Sequence, residues 1–114
     1  LPAIGKPIYS ASKAAATNLM LELAAEYGSR GLRFVPVLAN RIGTPSALGR
    51  AARSPEIQRE MVSTQLSQRW IQPEEVAAAF CYLLSDLARP INGDKFYITD
   101  GALSSLSARP VAPR

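Results

Sequence analysis

The sequence predicts an α/β chain with two short parallel strands covered by helices, and three observations lead there. A long helical pattern near the N-terminus is apolar or small nearly all round, as in a helix buried on more than one side. Two strand-like runs follow, Arg33–Leu38 and Lys95–Thr99. The stretch between them is long and largely helical, the kind of crossover that a parallel pair requires. With 47% apolar residues, the chain also has enough core-forming material to exclude disorder.

The first helix is predicted to start near Pro7, since proline is accepted in a first turn. Ala16, Leu19, Met20, Leu23 and Tyr27 form its apolar stripe, while Ala11, Ala14, Ala15, Leu21 and Ala25 occupy the other faces. Gly28 and Gly31 close it. Arg33–Leu38 reads as a buried strand, although Pro36 removes one ladder donor. Ala39–Ser54, with Gly43, Pro45 and Gly49, reads as a loop. Ser54 then caps a helix with Pro55 at its first position, running to about Gln68. Gln72-Pro73-Glu74-Glu75 opens the next helix, with carboxylates at its positive end and Val76, Ala79, Phe80, Leu83 and Leu84 as the apolar face. Asp86–Pro90 ends it, and Asn92-Gly93-Asp94 is a turn. Lys95–Thr99 alternates as a short strand, and residues 103–114 read as a flexible tail.

Composition removes several chemistries. Without histidine there is no Ser-His-Asp or Cys-His mechanism within these residues. Cys81 is the single cysteine, so neither an intrachain disulfide nor a Cys/His zinc cluster can form, and no metal site is expected. Flanked by apolar residues, Cys81 reads as a small buried core group in a reducing, cytoplasmic setting. The net charge of +4 comes mainly from arginines scattered along the chain. Arg30, Arg33, Arg41, Arg50, Arg53, Arg59, Arg69 and Arg89 make no basic stripe, which argues for a solvated surface and against a nucleic-acid partner. The longest apolar run, Val76–Leu84, is too short to cross a bilayer, so no membrane partner is expected.

Tyr9 and Lys13 are four residues apart, about 40° around a helix axis, so they can face one site. Tyrosine ordinarily ionises near pH 10. An ammonium beside it favours the phenolate and makes it usable for proton transfer to or from a carbonyl or alcohol oxygen. Ser10-Ala11-Ser12-Lys13 also fits the Ser-x-x-Lys signature of penicillin-recognising acyl enzymes. Their Ser-Asp-Asn and Lys-Thr-Gly partners do not occur in this sequence.

The segment Tyr9-Ser10-Ala11-Ser12-Lys13-Ala14-Ala15 resembles the active-site helix of the short-chain dehydrogenases/reductases. Gly31-Leu32-Arg33-Phe34-Val35 is similar to that family's next turn and strand, and Arg41-Ile42-Gly43-Thr44-Pro45 to the end of its cofactor loop. Arg69–Ala77, Leu83-Leu84-Ser85-Asp86, Ile91-Asn92-Gly93 and Thr99-Asp100-Gly101-Ala102 follow in the family's order. The resemblance covers Tyr9 to Ala102 and is similar in its C-terminal signature to 3-oxoacyl-(acyl carrier protein) reductases. It implies that residues 1–102 are the C-terminal half of a Rossmann-like, doubly wound parallel sheet without the N-terminal dinucleotide-binding strands. It implies NAD or NADP as hydride carrier and an alcohol/carbonyl substrate. Tyr9 would be the general acid/base, Lys13 would stabilise its phenolate and hold the nicotinamide ribose, and Ile42 and Thr44 would contact the carboxamide or a nearby phosphate.

The chain departs from the family at Val35, where asparagine is usual, and at Ala39-Asn40, where Pro-Gly is usual. Asn40 is expected to take over the glycine's positive φ. The glycine-rich pyrophosphate turn does not occur in this sequence, and the family's serine would fall before Leu1. A first residue other than Met, followed closely by the Tyr9 motif, suggests a cut edge. On this reading the complete protein is the enzyme and the 114 residues alone are inactive. The uncharged face of the first helix suggests a homo-oligomer joined through residues Tyr9–Tyr27. The alternative is a non-catalytic truncated chain or an assembly module using the family's dimer surface.

Overall fold

A computed structural model describes residues 5–103 of the chain. Six regular elements occur in the order α1 (Pro7–Tyr27), β1 (Val37–Ala39), α2 (Pro45–Ala51), α3 (Pro55–Val62), α4 (Pro73–Leu84) and β2 (Phe96–Ile98), with single 3-10 turns at Gly28–Arg30 and Asp86–Ala88. The chain divides into two compact units. The first takes its described residues from 5–38 and Phe80–Tyr97, the second from Ala39–Ala79 and 98–103. Strands β1 and β2 form a two-stranded sheet. Phe96 N donates to Pro36 O in the first unit and Asn40 N to Ile98 O in the second, each at 3.0 Å. The partners advance together along both strands, so the pair is parallel, as the sequence predicts.

In the first unit, α1 begins at Pro7 and ends at Tyr27. Gly31 ends the 3-10 turn after it with φ +81°, a backbone that favours glycine. The covered face matches the expected stripe only in part. Met20, Leu23 and Tyr27 of the stripe are half-buried but Ala16 and Leu19 are exposed, while outside it Ala24 is buried and Thr17 and Leu21 are half-buried. The reason lies in the Asn92-Gly93 turn, which packs on Ala24: a Cβ at Gly93 would sit 3.3 Å from the Ala24 Cβ.

That turn also explains why the first strand is shorter than Arg33–Leu38. Asn92 Oδ1 accepts from Phe34 N at 2.9 Å, and Gly93 N donates to Phe34 O at 3.0 Å. The backbone of residue 34 is thus bonded to a turn, and Pro36 has no donor to give. Arg33 is half-buried, against its expected place on a solvated surface. Its guanidinium donates to Leu83 O at 2.5 Å, in the last turn of α4, and to Ala88 O at 3.1 Å and Ile91 O at 3.2 Å in the segment after it. Cys81 is exposed, so it is not the buried core group its apolar neighbours suggest.

In the second unit, residues 39–54 are not all loop. Thr44 Oγ1 accepts from Ala47 N at 3.3 Å, and Pro45 is the first residue of α2. Pro45 therefore starts a helix at the position where proline is favoured. Ser54 caps α3 by accepting from Ile57 N at 3.1 Å, as predicted, but the helix stops at Val62 instead of near Gln68. Ala47, Ala51 and Val62 form the core with Trp70, and Met61 packs against them. At the start of α4, Glu75 Oε2 accepts from Gln72 N at 2.7 Å, the third-residue arm of a capping box. The Arg69 guanidinium grips both Glu75 oxygens, at 2.8 and 2.7 Å. The predicted tail falls on residues 103–114, of which 104–114 lie outside the described residues.

Candidate active site

Tyr9 and Lys13 stand in the first two turns of α1, in the first unit. The residues between and after them are small, so the helix can keep both side chains on its surface. Lys13 Nζ lies 5.5 Å from the Tyr9 ring centroid, within cation–π range. Both are exposed, Tyr9 at 56%, so a ligand can reach the phenol and the ammonium together. The backbone under the pair is braced by neighbouring hydroxyls: Ser12 Oγ donates to Tyr9 O at 2.8 Å and Thr17 Oγ1 to Lys13 O at 3.0 Å. The structure therefore brings these two predicted residues together, with the ammonium near the tyrosine ring.

Ile42 and Thr44 belong to the second unit. Ile42 forms a parallel bridge with Ile71, in which Ile71 N donates to Arg41 O at 3.0 Å and Gly43 N to Ile71 O at 2.8 Å. In such a bridge the amide and carbonyl of Ile42 point away from Ile71. Its carbonyl accepts from Thr44 N at 2.9 Å, so the two predicted residues share one tight turn. Gly43 is pressed on Trp70, and a Cβ there would lie 3.2 Å from the Trp70 Cβ. Thr44 Oγ1 accepts within α2's cap, which leaves its O–H able to donate outward.

Taken each in its own unit, these groups have donors of the kind a dinucleotide's nicotinamide end takes: Lys13 an ammonium, suited to ribose hydroxyls, and Thr44 a hydroxyl, suited to a carboxamide or phosphate oxygen. Asn40, by contrast, does not replace glycine through a positive φ; among the described residues other than glycine, only Gln68 and Asp100 have one. Asn40 is instead tied down, its Nδ2 donating to Thr64 Oγ1 at 3.1 Å and its backbone N to Ile98. No group of His, Cys, Asp or Glu among the described residues is arranged to hold a metal ion.

A cavity of about 360 Å³ lies in the first unit, lined by Gly28, Arg33, Ser85, Arg89 and Asn92 among others. It is at the far end of α1, about 28 Å along the helix from Tyr9. Arg33 is already spent on three carbonyls there, and Arg89 and Asp86 are open to solvent.

Sequence reasoning missed a second constellation. Gln65 is 1% exposed, its Nε2 donates to Arg69 O at 2.6 Å, and its Oε1 and the Trp70 Nε1 are buried without partners. Asp100 takes both donors of Ser67 on its Oδ2. A sequence signal for it is the Asp100-Gly101 pair, one residue beyond β2, where both residues have left-handed backbone.

Residues 3–102 match the family described as Enoyl-(Acyl carrier protein) reductase. The chain belongs to the short-chain dehydrogenases/reductases. Family relatives include 2-(S)-hydroxypropyl-CoM dehydrogenase 3 of Xanthobacter autotrophicus, 32% identical over 102 residues, which cover 86% of this chain and 39% of the relative. Enoyl-[acyl-carrier-protein] reductase [NADH] 2 of Rhizobium meliloti is 32% identical over 94 residues, covering 82% of this chain and 35% of the relative. Among solved structures, 4-hydroxyisoleucine dehydrogenase complexed with NADH superposes with a TM-score of 0.77 at 28% identity, over 84% of this chain and 39% of that one. The chain thus spans less than half the length of the family members it matches. Like them it is α/β with a parallel sheet, and no helix among its described residues is long and apolar enough to cross a membrane.

Proposed function

We propose that this chain is the C-terminal half of an NAD(P)-dependent oxidoreductase acting on an alcohol/ketone pair. The observation that carries the reading is the Tyr9–Lys13 pair, phenol and ammonium on one helix face with 5.5 Å between Nζ and the ring centroid. A bound nicotinamide supplies or accepts the hydride. Tyr9 gives its proton to the carbonyl oxygen in reduction and takes it from the alcohol in oxidation. Lys13 stabilises the phenolate and donates to the nicotinamide ribose. Ile42, through its backbone, and Thr44, through its hydroxyl, serve the carboxamide or a neighbouring phosphate. The similarity to two dehydrogenases and an NADH-dependent reductase supports the class of reaction and the cofactor.

Residues Thr44–Gln68 are the segment that would cover the substrate and select it. The complete protein would associate through α1, whose Ala11, Ala14, Ala15 and Ala25 are exposed. The 114 residues alone would be inactive.

Tyr9→Phe in the complete protein tests the reading. Turnover is expected to fall by a factor of about 10² to 10⁴ with folding unchanged, and Lys13→Met should also raise the Michaelis constant for the cofactor. A Tyr9→Phe protein with near-normal turnover would overturn the assignment.

A further inference from the structure

We propose that Asp100 is a positioning residue that clasps the Leu66-Ser67 turn and so holds α2 and α3 closed on Trp70. The proposal rests on the reading that residues Thr44–Gln68 cover the substrate. All the groups involved lie in the second unit.

The clasp has three parts. Leu66 N donates to Asp100 O at 2.8 Å. Ser67 gives both donors to Asp100 Oδ2, its amide at 3.2 Å and its hydroxyl in a shorter bond. The Leu66 side chain lies over Gly101 so closely that a Cβ there has no room. Backbone conformation marks the same place. Gln68, with φ +51°, and Asp100, with φ +47°, lie on the two sides of the clasp. Left-handed backbone is disfavoured for residues with a Cβ, so each turn persists because its contacts hold it.

Away from its ends, the segment is held by one small apolar cluster. The contacts in the middle are made by Ala47, Ala51 and Val62 against Trp70, and most other residues of the two helices are exposed. At the N-terminal end, the segment is fixed by the Gly43–Ile71 bond; at the C-terminal end, by Asn40–Thr64 and the clasp. A segment pinned at its ends over few apolar contacts opens when one end is released, without global unfolding. Asp100 therefore governs how often residues 45–62 lie closed, which bears on substrate retention and not on the hydride step.

The test uses the full-length protein and the variants Ser67→Ala, Asp100→Asn and Ser67→Thr. Ser67→Ala removes only the hydroxyl donor, and asparagine keeps the left-handed backbone while losing the charge. Hydrogen exchange of the amides in residues 45–62 is expected to rise about tenfold in the first two variants, the scale of one charge-assisted hydrogen bond. The Michaelis constant for the alcohol or ketone should rise with it, while turnover and the cofactor's Michaelis constant stay within about twofold. Ser67→Thr, which keeps the hydroxyl, should restore both. Unchanged exchange in Ser67→Ala overturns the clasp, even if Asp100→Asn fails to fold. Faster exchange with an unchanged substrate constant overturns the positioning role. If exchange rises but the unmodified protein turns over no alcohol or ketone, the oxidoreductase reading fails and the clasp stands.

Discussion

Helix α1 runs for 21 residues and buries one of them, Ala24. The stretch from Val62 to Ile71 is half as long, has no regular structure after its first residue, and buries Val62, Gln65, Trp70 and Ile71. Each region achieves precision by a different route. The helix fixes Tyr9 against Lys13 through its backbone hydrogen bonds, braced by the Ser12 and Thr17 hydroxyls, so the pair keeps its spacing without a surrounding core. The irregular stretch has no repeating backbone ladder, and its path is set by side chains: Gln65 on the Arg69 carbonyl, Trp70 in its alanine-lined cluster, Ser67 on Asp100. The proposed proton-transfer pair sits on the first kind of scaffold; the second kind closes the segment proposed to cover the substrate.

The sharpest way to break this contrast is truncation on each side of it. Trp70→Ala is expected to cost about 3–5 kcal/mol, because the ring fills the core of its unit. Leu19→Ala, at a side chain 59% exposed, should cost less than about 0.5 kcal/mol. Equal losses in urea unfolding would show that α1 is packed as tightly as the irregular stretch. Arg33→Ala comes next, with an expected loss of about 2–3 kcal/mol, since three carbonyls lose a charged donor. Arg33→Lys should recover only part of it, because an ammonium lacks the planar fork. Full recovery by lysine in the same unfolding experiment would contradict the geometric argument. On the exposed face of α1, Ala14→Glu combined with Ala25→Glu should leave folding almost untouched but reduce the oligomeric mass seen by light scattering. A complete protein that keeps its mass with both charges present joins its copies elsewhere.

The smallest effect is a pH dependence at the Arg69–Glu75 pair. The Glu75 carboxyl is held at about 2, below its ordinary 4.5, first by the hydrogen bond from Arg69 and next by that from the Gln72 amide. Arg69 is correspondingly raised, chiefly by Glu75. A carboxyl depressed on folding contributes stability above its unfolded value, and the contribution is lost as pH falls from 4.5 to about 2. Glu75→Gln should therefore be slightly less stable than the parent at neutral pH and equal to it near pH 2. Both side chains are about half exposed, so added salt should shrink the difference. A gap that persists at pH 2 would assign the effect to packing instead of charge.

The legible parts of the sequence were those where local chemistry decides the outcome. Pro7 and Gly31 bracket α1 because one fits a first turn and the other a left-handed exit. Ser54-Pro55 marks the start of α3 for the same kind of reason. Thr44-Pro45 carries the same signal, but neighbouring Gly43 and Gly49 read as breakers and conceal α2. The end of α3 at Val62 and the shortened β1 depend on partners far along the chain, Asp100 and Asn92, which no periodicity reveals. Tyr9 and Lys13 were legible because a helix converts spacing into position. Gln65, Ser67 and Asp100 were not, because their roles exist only once a turn after α3 meets a turn after β2.

The Arg33 fork has a kinetic consequence. Its acceptors lie 50, 55 and 58 residues further along the chain, so each bond closes a long loop. Closing such a loop costs entropy before any bond repays it. The fork therefore belongs to the late stage of folding, after α1 and α4 have formed locally. Losing it should speed unfolding while leaving the folding rate nearly unchanged. Arg33 would then serve less to assemble the first unit than to set how long the assembled unit lasts.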